Sequence, residues 1–409
     1  MSTQERDVSI VISPTLRVGI NAQLVSFGAS YRNAGVSRFT YALLDGLSHL
    51  EQDQAYTAFI NGSETDAASA TSLAHAGHMR LLPTRWATGR PEQRIAWEQI
   101  ALPLQLRREH MDVFHSPVNV LPERLPCASV VTVHDLAFER FPQYFRPTRR
   151  LYQHTFTRRS VHAATLVVAV SQSTKRDVVE RFAVPEERVR VIHPAIDTDF
   201  RPVDDDRTLA AFRARHRLPD RYILFLGTLE PRKNLLTLIE AYARLRQETA
   251  DAPQLILAGG QGWYYQAVLD RIQMLQLEQY ITLAGYVARE EQPLWYAGAE
   301  LFVYPSIYEG FGLPIAEALA CGTPTITSNV SSMPEAGGTV ALQVAPEDSV
   351  HLAHAMRRML ADTSVRQRTR VEGPRWTSRF SVARMAVAYA DVYREAAELR
   401  SAHNGKRGR

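Results

Sequence analysis

Glu309-Gly310-Phe311-Gly312-Leu313-Pro314-Ile315-Ala316-Glu317 places two carboxylates eight residues apart across a glycine-rich turn. Pro314 suits the first position of a helix, and Gly322 suits its end. The preceding run Leu301-Phe302-Val303-Tyr304 reads as a buried strand. The segment is therefore strand, glycine-rich loop and short helix, which aims backbone N–H groups at the helix N-terminus toward an anion. Glu309 is expected in the loop and Glu317 in the first helical turn. Two acids beside a bound diphosphate would repel it, so they read as hydrogen-bond acceptors for hydroxyls on either side of it. A nucleotide sugar has that layout: ribose, diphosphate, then sugar.

Outward from this segment the chain alternates strands and helices. In the second half the strand patterns are Tyr222–Leu226, Leu255–Ala258, Ile281–Ala284, Leu301–Tyr304, Thr325–Thr327 and Leu342–Val344. Helical patterns lie at Asn234–Arg246, Tyr264–Leu275, Glu290–Ala297, Pro314–Cys321 and Asp348–Leu360. In the first of these, Leu235, Leu238, Ile239, Tyr242 and Leu245 form an apolar stripe, with Asn234 as its expected N-cap. The first half carries strand patterns at Arg17–Ala22, Tyr56–Ile60, Met79–Leu82, Asp112–His115, Val130–His134, Leu166–Val170 and Val189–Ile192. Helical patterns there are Val36 to about Leu50, Glu92–Arg108 and Thr148–His162.

This alternation predicts an α/β protein of two Rossmann-like domains facing each other across a cleft, with ligands outside the carboxyl ends of the strands. The expected division is residues 1–195, residues 196–375, and a C-terminal segment 376–409. His193–Asp220, with Pro194, Pro202 and Asp204-Asp205-Asp206, reads as the linker. The last helix, Val382–Leu399, is expected to pack back on the first domain, and the tail Gly405–Arg409 to be disordered.

Composition narrows the class. The 409 residues are 45% hydrophobic and 22% charged, ordinary for a globular protein. The net charge of +4 admits an anionic substrate, a membrane surface or nucleic acid, or no special partner. Cys127 and Cys321 lie far apart without metal-ligand spacing, which argues against a disulfide framework and fits a reducing cytoplasm. Met1-Ser2-Thr3-Gln4-Glu5-Arg6-Asp7 lacks a signal-peptide pattern, and no apolar run reaches the roughly 18 residues of a membrane span. The cytoplasm is the expected compartment, with any membrane contact at its inner face and peripheral.

Several residues fit anion or sugar chemistry. Arg232 and Lys233 follow the strand that ends at Gly227 and precede a helix. A cation 4 Å from a phosphate gains about 4 kcal/mol at an effective dielectric near 20. Two such cations and a helix N-terminus could neutralise a diphosphate leaving group without a metal; alone, the pair also reads as solvated. Gly35 closes the first loop and either lets backbone approach a phosphate or is an ordinary loop glycine. His134-Asp135 ends the strand Val130–Val133 and would point into the cleft, as sugar contacts or as a satisfied strand end. Gly259-Gly260-Gln261-Gly262 lacks dinucleotide spacing and reads as a turn. Asp197-Thr198-Asp199 resembles a metal-binding Asp-x-Asp motif but falls in the expected linker. No metal site, P-loop or Gly-x-Ser-x-Gly is evident.

Gly35, His134-Asp135, Pro231-Arg232-Lys233-Asn234 and the segment from Glu309 to Glu317 together resemble family 4 glycosyltransferases of the GT-B fold, over about Arg17 to Leu399. The resemblance implies retaining, metal-independent transfer from a nucleotide sugar, with no further cofactor. It implies that Glu317 holds the ribose and Glu309 the donor sugar. Arg232, Lys233 and the loop Gly310, Phe311, Gly312 and Leu313 would hold the diphosphate, which Gly35 would meet from the other domain. His134 and Asp135 would lie by the reacting sugar, and Tyr286 and Val287 by the base. Many members carry arginine where this chain has Thr228, which shifts phosphate binding toward Arg232 and Lys233. Closure of the domains on the donor would exclude water.

Arg94-Ile95-Ala96-Trp97-Glu98-Gln99, Leu102-Pro103 and Val133-His134-Asp135-Leu136 resemble the branch with bacterial mannosyltransferases of surface polysaccharides, lipopolysaccharide included. That resemblance implies GDP-mannose as donor and a glycan or lipid-linked glycan as acceptor, set against loops such as Gln23–Asn33 and Ala137–Arg146. UDP- or dTDP-sugar donors, a nucleotide-sugar 2-epimerase and a non-catalytic partner subunit are the alternatives. Arg149, Arg150, Arg158 and Arg159 flank Leu151, Tyr152 and Phe156 on one predicted helix; they do not form one clean face, as a solvated helix would not, though lipid contact fits the resemblance. No basic-aromatic stripe marks a nucleic-acid partner.

Overall fold

The computed structural model describes residues 15–26, 35–50, 53–62, 73, 79–84, 86, 90–260, 262 and 265–407. The expectations placed on Met1–Asp7, on residues 27–33 of the first acceptor loop, and on Gln261 and Tyr264 fall outside them. Among the described residues thirteen strands form two sheets. The first contains β1 (Leu16–Ala22), β2 (Gln54–Ile60), β3 (Met79–Pro83), β4 (Val113–Ser116), β5 (Ala128–Val133), β6 (Leu166–Ala169) and β7 (Val189–Val191), in the order β3-β2-β1-β4-β5-β6-β7. The second contains β8 (Tyr222–Leu226), β9 (Gln254–Ala258), β10 (Ile281–Gly285), β11 (Leu301–Tyr304), β12 (Thr325–Ser328) and β13 (Leu342–Val344), in the order β10-β9-β8-β11-β12-β13. The pairings β1 with β2 and β4, and β8 with β9 and β11, are parallel. Each order runs outward from its first strand in both directions, the doubly wound pattern of a Rossmann-like fold.

The strands are short apolar runs because helices cover both faces of a parallel sheet. Every residue of β8 and of β11 is buried. The expected stripe Leu235, Leu238, Ile239, Tyr242 and Leu245 is fully inside, on the helix Leu235–Glu248.

Compact packing divides the chain into residues 1–117, 122–130 and 390–409 on one hand, and 118–121 and 131–389 on the other. In the first unit Gln54 Nε2 donates to the Ala390 carbonyl at 3.0 Å, and the Tyr393 hydroxyl meets His115 Nδ1 at 2.8 Å. These contacts hold the helix Val382–Arg407, which continues through Gly405 where a disordered tail was expected. The expected helix Glu92–Arg108 is broken by a π-helical turn at Trp97–Ala101. Pro103 follows that turn; it lacks an N–H and would crowd the carbonyl four residues back, so the helix widens ahead of it. The expected linker contains the helix Asp206–His216, and Asp205 caps it by accepting from Arg207 N at 3.1 Å. An acidic run is a helix start as readily as a linker.

Candidate active site

β8 and β11 are neighbours at the point where the strand order of the second sheet reverses, so their carboxyl ends open a crevice. The loop after β8 carries Arg232 and Lys233 in a tight turn, Pro231–Lys233. Asn234 then takes a left-handed conformation, φ 60°, at the helix N-cap position without capping it. Its amide instead donates to the carbonyls of Pro305 (3.2 Å) and Pro346 (2.5 Å), tying this loop to those after β11 and β13. The expectation of an N-cap side chain is corrected accordingly.

The loop after β11 delivers Glu309 to these cations. Lys233 Nζ lies 2.5 Å from Glu309 Oε1 and donates to the Tyr304 hydroxyl at 2.7 Å. Glu309 Oε1 also accepts from Ser306 Oγ (2.7 Å) and Tyr304 (3.1 Å), while Oε2 meets Arg232 at 3.2 Å. The other side of Arg232 is 2.5 Å from Glu230. Glu309 and Lys233 are 8% and 6% exposed, so neither could stay charged without the other. Burial pushes the Glu309 carboxyl up, but Lys233 and then Arg232 outweigh it and hold it at about 2. Burial lowers the Lys233 ammonium, against the pull of Glu309.

The same loop packs on the end of β5. A side-chain carbon at Gly310 would stand 1.9 Å from the His134 carbonyl oxygen, so only glycine fits there. Thr174 Oγ1 donates to the Gly310 carbonyl at 3.1 Å. The Tyr308 hydroxyl donates to Asp177 at 2.8 Å and accepts from Leu136 N at 3.0 Å. His134 is half-buried, its N–H donating to Asn119 Oδ1 at 3.3 Å. Asp135 caps the next turn through Ala137 N (3.0 Å) and, with Arg232, lines a cavity of about 220 Å³.

Gly312 adopts φ 99° and opens the helix Leu313–Ala320; Pro314 carries no N–H and Ile315 N donates to the Gly312 carbonyl at 3.0 Å, so Leu313 offers the first N–H of the helix. Phe311 is buried against His193 and Phe380, with ring centroids 5.2 and 5.0 Å away. Because the helix starts at Leu313, Pro314 is its second residue and Glu317 lies in the second turn, not the first. Glu317 meets Arg289 at 2.7 Å and accepts from the Tyr296 hydroxyl at 3.1 Å. Arg289 also pairs with Asp197 at 2.6 Å and stacks 4.0 Å above the Phe200 ring. Asp197, expected in a linker, is thus part of the Glu317 cluster. Sequence reasoning passed over Arg289 and Tyr296 and left Asp197 in the linker; the one signal for Arg289 was its place four residues beyond the carboxyl end of β10.

Tyr286 directly follows β10 and is 70% exposed, while Val287 is buried. Gly35 belongs to the other unit, where it opens the helix Val36–Ser48 at φ 47°. One further carboxylate was not anticipated. Glu335 accepts from the backbone N–H groups of Gln172 (2.7 Å) and Ser173 (2.9 Å), at the N-terminus of the helix Gln172–Phe182, and from His193 at 3.3 Å. Among the described residues no group of three or more His, Cys, Asp or Glu is placed to hold a metal ion, and no helix is long and apolar enough to cross a membrane.

The arrangement can bind an anion at a helix N-terminus and offer carboxylate oxygens to hydroxyls on either side, and the chain as a whole is similar to known proteins. The profile of "Glycosyl transferases group 1" matches residues 206–376, and that of "Glycosyltransferase Family 4" residues 34–200. O-antigen chain mannosyltransferase B of Escherichia coli is 34% identical over 275 residues, 67% of this chain and 72% of that protein. Serotype-specific mannosyltransferase WbdA of E. coli is 30% identical over 66% of this chain, a match spanning 34% of its own length. The crystal structure of Anabaena Alr3699/HepE in complex with UDP and glucose superposes with a TM-score of 0.67 at 17% identity, covering 92% of this chain and 99% of that one. The chain is a family 4 glycosyltransferase with the GT-B fold.

Proposed function

We propose that this enzyme moves mannose from GDP-mannose, with retention of configuration and without a metal, to a hydroxyl of a free or lipid-linked glycan in surface polysaccharide synthesis. The observation that carries the sugar and the pathway is the 34% identity to an O-antigen chain mannosyltransferase over most of that protein's length. The Glu309–Lys233–Arg232 cluster supports a working transferase over a non-catalytic partner subunit. In this reading the diphosphate lies on the N-terminus of the helix Leu313–Ala320 and on Arg232, Glu317 takes the ribose, and Glu309 takes hydroxyls of the sugar. The acceptor oxygen forms its bond to the anomeric carbon on the face from which the nucleotide diphosphate leaves. The acceptor proton passes to the leaving phosphate oxygen. Asp135 and His134 border the space where that acceptor arrives. The N-terminal dipole and the Arg232 charge stabilise the departing phosphate in the manner of an oxyanion site.

The test is thermal stability with GDP-mannose, UDP-glucose, UDP-GlcNAc and dTDP-rhamnose, each with and without EDTA. A donor at 100 times its dissociation constant stabilises by about 2.7 kcal/mol, and each kcal/mol is worth roughly 2–4 °C in units of 150–250 residues. A shift with GDP-mannose that survives EDTA is the expected result. A shift with a UDP-sugar alone transfers the reading to that donor, and a shift abolished by EDTA overturns the metal-free mechanism. The anomeric configuration of the product by NMR decides retention. We extend the proposal to the inner face of the cytoplasmic membrane. Arg149, Arg150, Leu151, Arg158 and Arg159 are all exposed on one helix, Pro147–Ala163. Sedimentation with anionic vesicles, lost on replacing these arginines, is the expected outcome.

A further inference from the structure

Residues 308–310 face two ways. Glu309 turns to Lys233 and Arg232, while Tyr308 and Gly310 on either side of it bond to an earlier stretch of the chain. Their partners there, Asp177 and Thr174, stand three residues apart on one face of the helix Gln172–Phe182. The Tyr308 hydroxyl has a second partner. Leu136 N is 3.0 Å away and can only donate to it, so the hydroxyl proton goes to Asp177 Oδ2 at 2.8 Å. Burial, with Asp135 and Asp177 adding to it, pushes the hydroxyl well above its usual range, and that proton stays in place. Asp177 is fully buried, and its other oxygen takes two bonds from Arg140, one of them from Nε at 2.8 Å. Leu136 follows His134-Asp135 directly and stands at the start of the short helix Ala137–Arg140. One hydroxyl therefore joins the peptide after Asp135, a buried carboxylate and the residue before Glu309, all inside the unit 118–121 and 131–389.

We propose that Tyr308 is a positioning residue of the transfer: through its bonds to Leu136 and Asp177 it sets Glu309 at a fixed spacing from the turn at His134-Asp135. The proposal rests on the reading above, in which Glu309 holds the donor sugar and that turn borders the space where the acceptor arrives. Gly310 packs against the His134 carbonyl with no room for a side-chain carbon, which stops the two turns from coming closer. The bond from Leu136 N to the Tyr308 hydroxyl stops them from drawing apart. Other groups hold Glu309 within its own loop: Ser331 and Ser332 donate to its carbonyl at 2.9 and 2.8 Å, and Lys233 holds its carboxylate. None of those bonds reaches the turn at Asp135. Reacting atoms must come within about 3–3.5 Å of each other, so an error in this spacing passes directly into the reacting distance. Phenylalanine would fill the same volume and keep the ring contact with Phe141, whose centroid is 5.6 Å away, so the hydroxyl can be removed by itself.

The experiment compares Tyr308→Phe with Tyr242→Phe in the full chain. Tyr242 is a second buried tyrosine of the same unit, and its hydroxyl meets the carbonyls of Pro253 (2.9 Å) and Tyr280 (3.2 Å), outside the loops of the site. Both variants lose buried hydroxyl bonds, so both should melt earlier than the wild type, and circular dichroism checks the fold. Hydrogen exchange of residues 306–312, followed by mass spectrometry without donor, should quicken by about tenfold in Tyr308→Phe alone. Hydrolysis of GDP-mannose should lose about tenfold in kcat in Tyr308→Phe alone, short of the roughly 100-fold of a 1 Å displacement, with donor KM within about twofold. Asp177→Asn keeps an oxygen for the hydroxyl proton and should lose less kcat than Tyr308→Phe. Wild-type exchange at 306–312 in Tyr308→Phe overturns the proposal. An equal fall of kcat in Tyr242→Phe also overturns it, because lost stability would then explain both; so does a raised KM with unchanged kcat, which would make Tyr308 part of donor binding. Exchange is read without donor, so a wrong donor assignment leaves that result standing, and the kinetic comparison then moves to whichever nucleotide sugar the wild type hydrolyses.

Discussion

Replacing Gly310 with alanine tests how the loop after β11 is held. The new carbon would stand 1.9 Å from the His134 carbonyl oxygen, where real contacts of this kind essentially never fall below 3.0 Å. The loop must therefore retreat by at least 1.1 Å, the difference between those two distances. The obstacle is backbone at the end of a buried strand, so it cannot swing aside as a flexible side chain would. The retreat carries Glu309 away from its position and strains the bonds of Thr174 to Gly310 and of Tyr308 to Asp177. Overpacking of this kind costs about 2 kcal/mol, or roughly 4–8 °C of melting temperature. A misplacement of about 1 Å in a reacting group costs on the order of 100-fold in rate. Gly260→Ala is the control, because among the described residues nothing lies within 4 Å of the added carbon. Release of nucleotide from the donor, followed with a coupled assay, and thermal melts measure both effects. A Gly310→Ala enzyme with wild-type kcat/KM and melting temperature would refute the reasoning; a lowered melting temperature with unchanged kcat/KM would show that the contact holds the fold without aligning the site.

Glu309→Ala strands Lys233 in a buried site, while Arg232 keeps Glu230, and should cost about 3–5 kcal/mol of stability, with Glu309→Gln milder; melts in denaturant measure it. The Glu309 carboxyl is depressed from 4.5 to about 2, so its contribution is complete above pH 4.5 and is lost as pH falls toward 2. That loss is on the order of 3 kcal/mol, and a Glu309→Gln protein should show a shallower acid limb in its melting temperatures. Arg232→Ala should raise KM for the donor more than Lys233→Met does, whereas Lys233→Met should cost more stability; steady-state kinetics beside melts separate the two. Glu335→Ala removes a charged acceptor from two helix N–H groups and should cost about 2 kcal/mol, read as earlier hydrogen exchange in residues 172–176.

The strands were legible because each is a short apolar run bounded by turn residues, and burial on both faces requires that composition. The helix Leu235–Glu248 was legible for the related reason that its buried face repeats at helical spacing. Much of what escaped depends on partners distant in sequence. The helix Gln172–Phe182 has few apolar residues, and its N-terminus is held by Glu335, more than 160 positions later. Asp204-Asp205-Asp206 has a linker's composition, yet Asp205 starts a helix. Glu309, Arg232 and Lys233 could be linked in advance because both loops leave the carboxyl ends of strands. Arg289, Tyr296 and Asp197 are single polar residues in three separate elements, and no local pattern says that they converge on Glu317.

The charge balance of the central cluster assigns different tasks to its two cations. Arg232 and Lys233 are matched by Glu230 and Glu309, so the cluster is neutral before any diphosphate arrives. In the proposed reading a diphosphate would therefore meet no net positive charge from these four side chains, and the backbone N–H groups at Gly312 and Leu313 would share its binding with Arg232. Lys233 spends one of its three donors on Glu309 and another on Tyr304, deep under the loop. Arg232 reaches the cavity wall and has the larger set of donors. On Glu309, Oε1 already accepts from Lys233, Ser306 and Tyr304, while Oε2 meets Arg232. The capacity left for a sugar hydroxyl is on Oε2, the oxygen on the Arg232 side. Lys233 thus fixes the carboxylate's orientation, and Arg232 with Oε2 forms the surface that a substrate can meet.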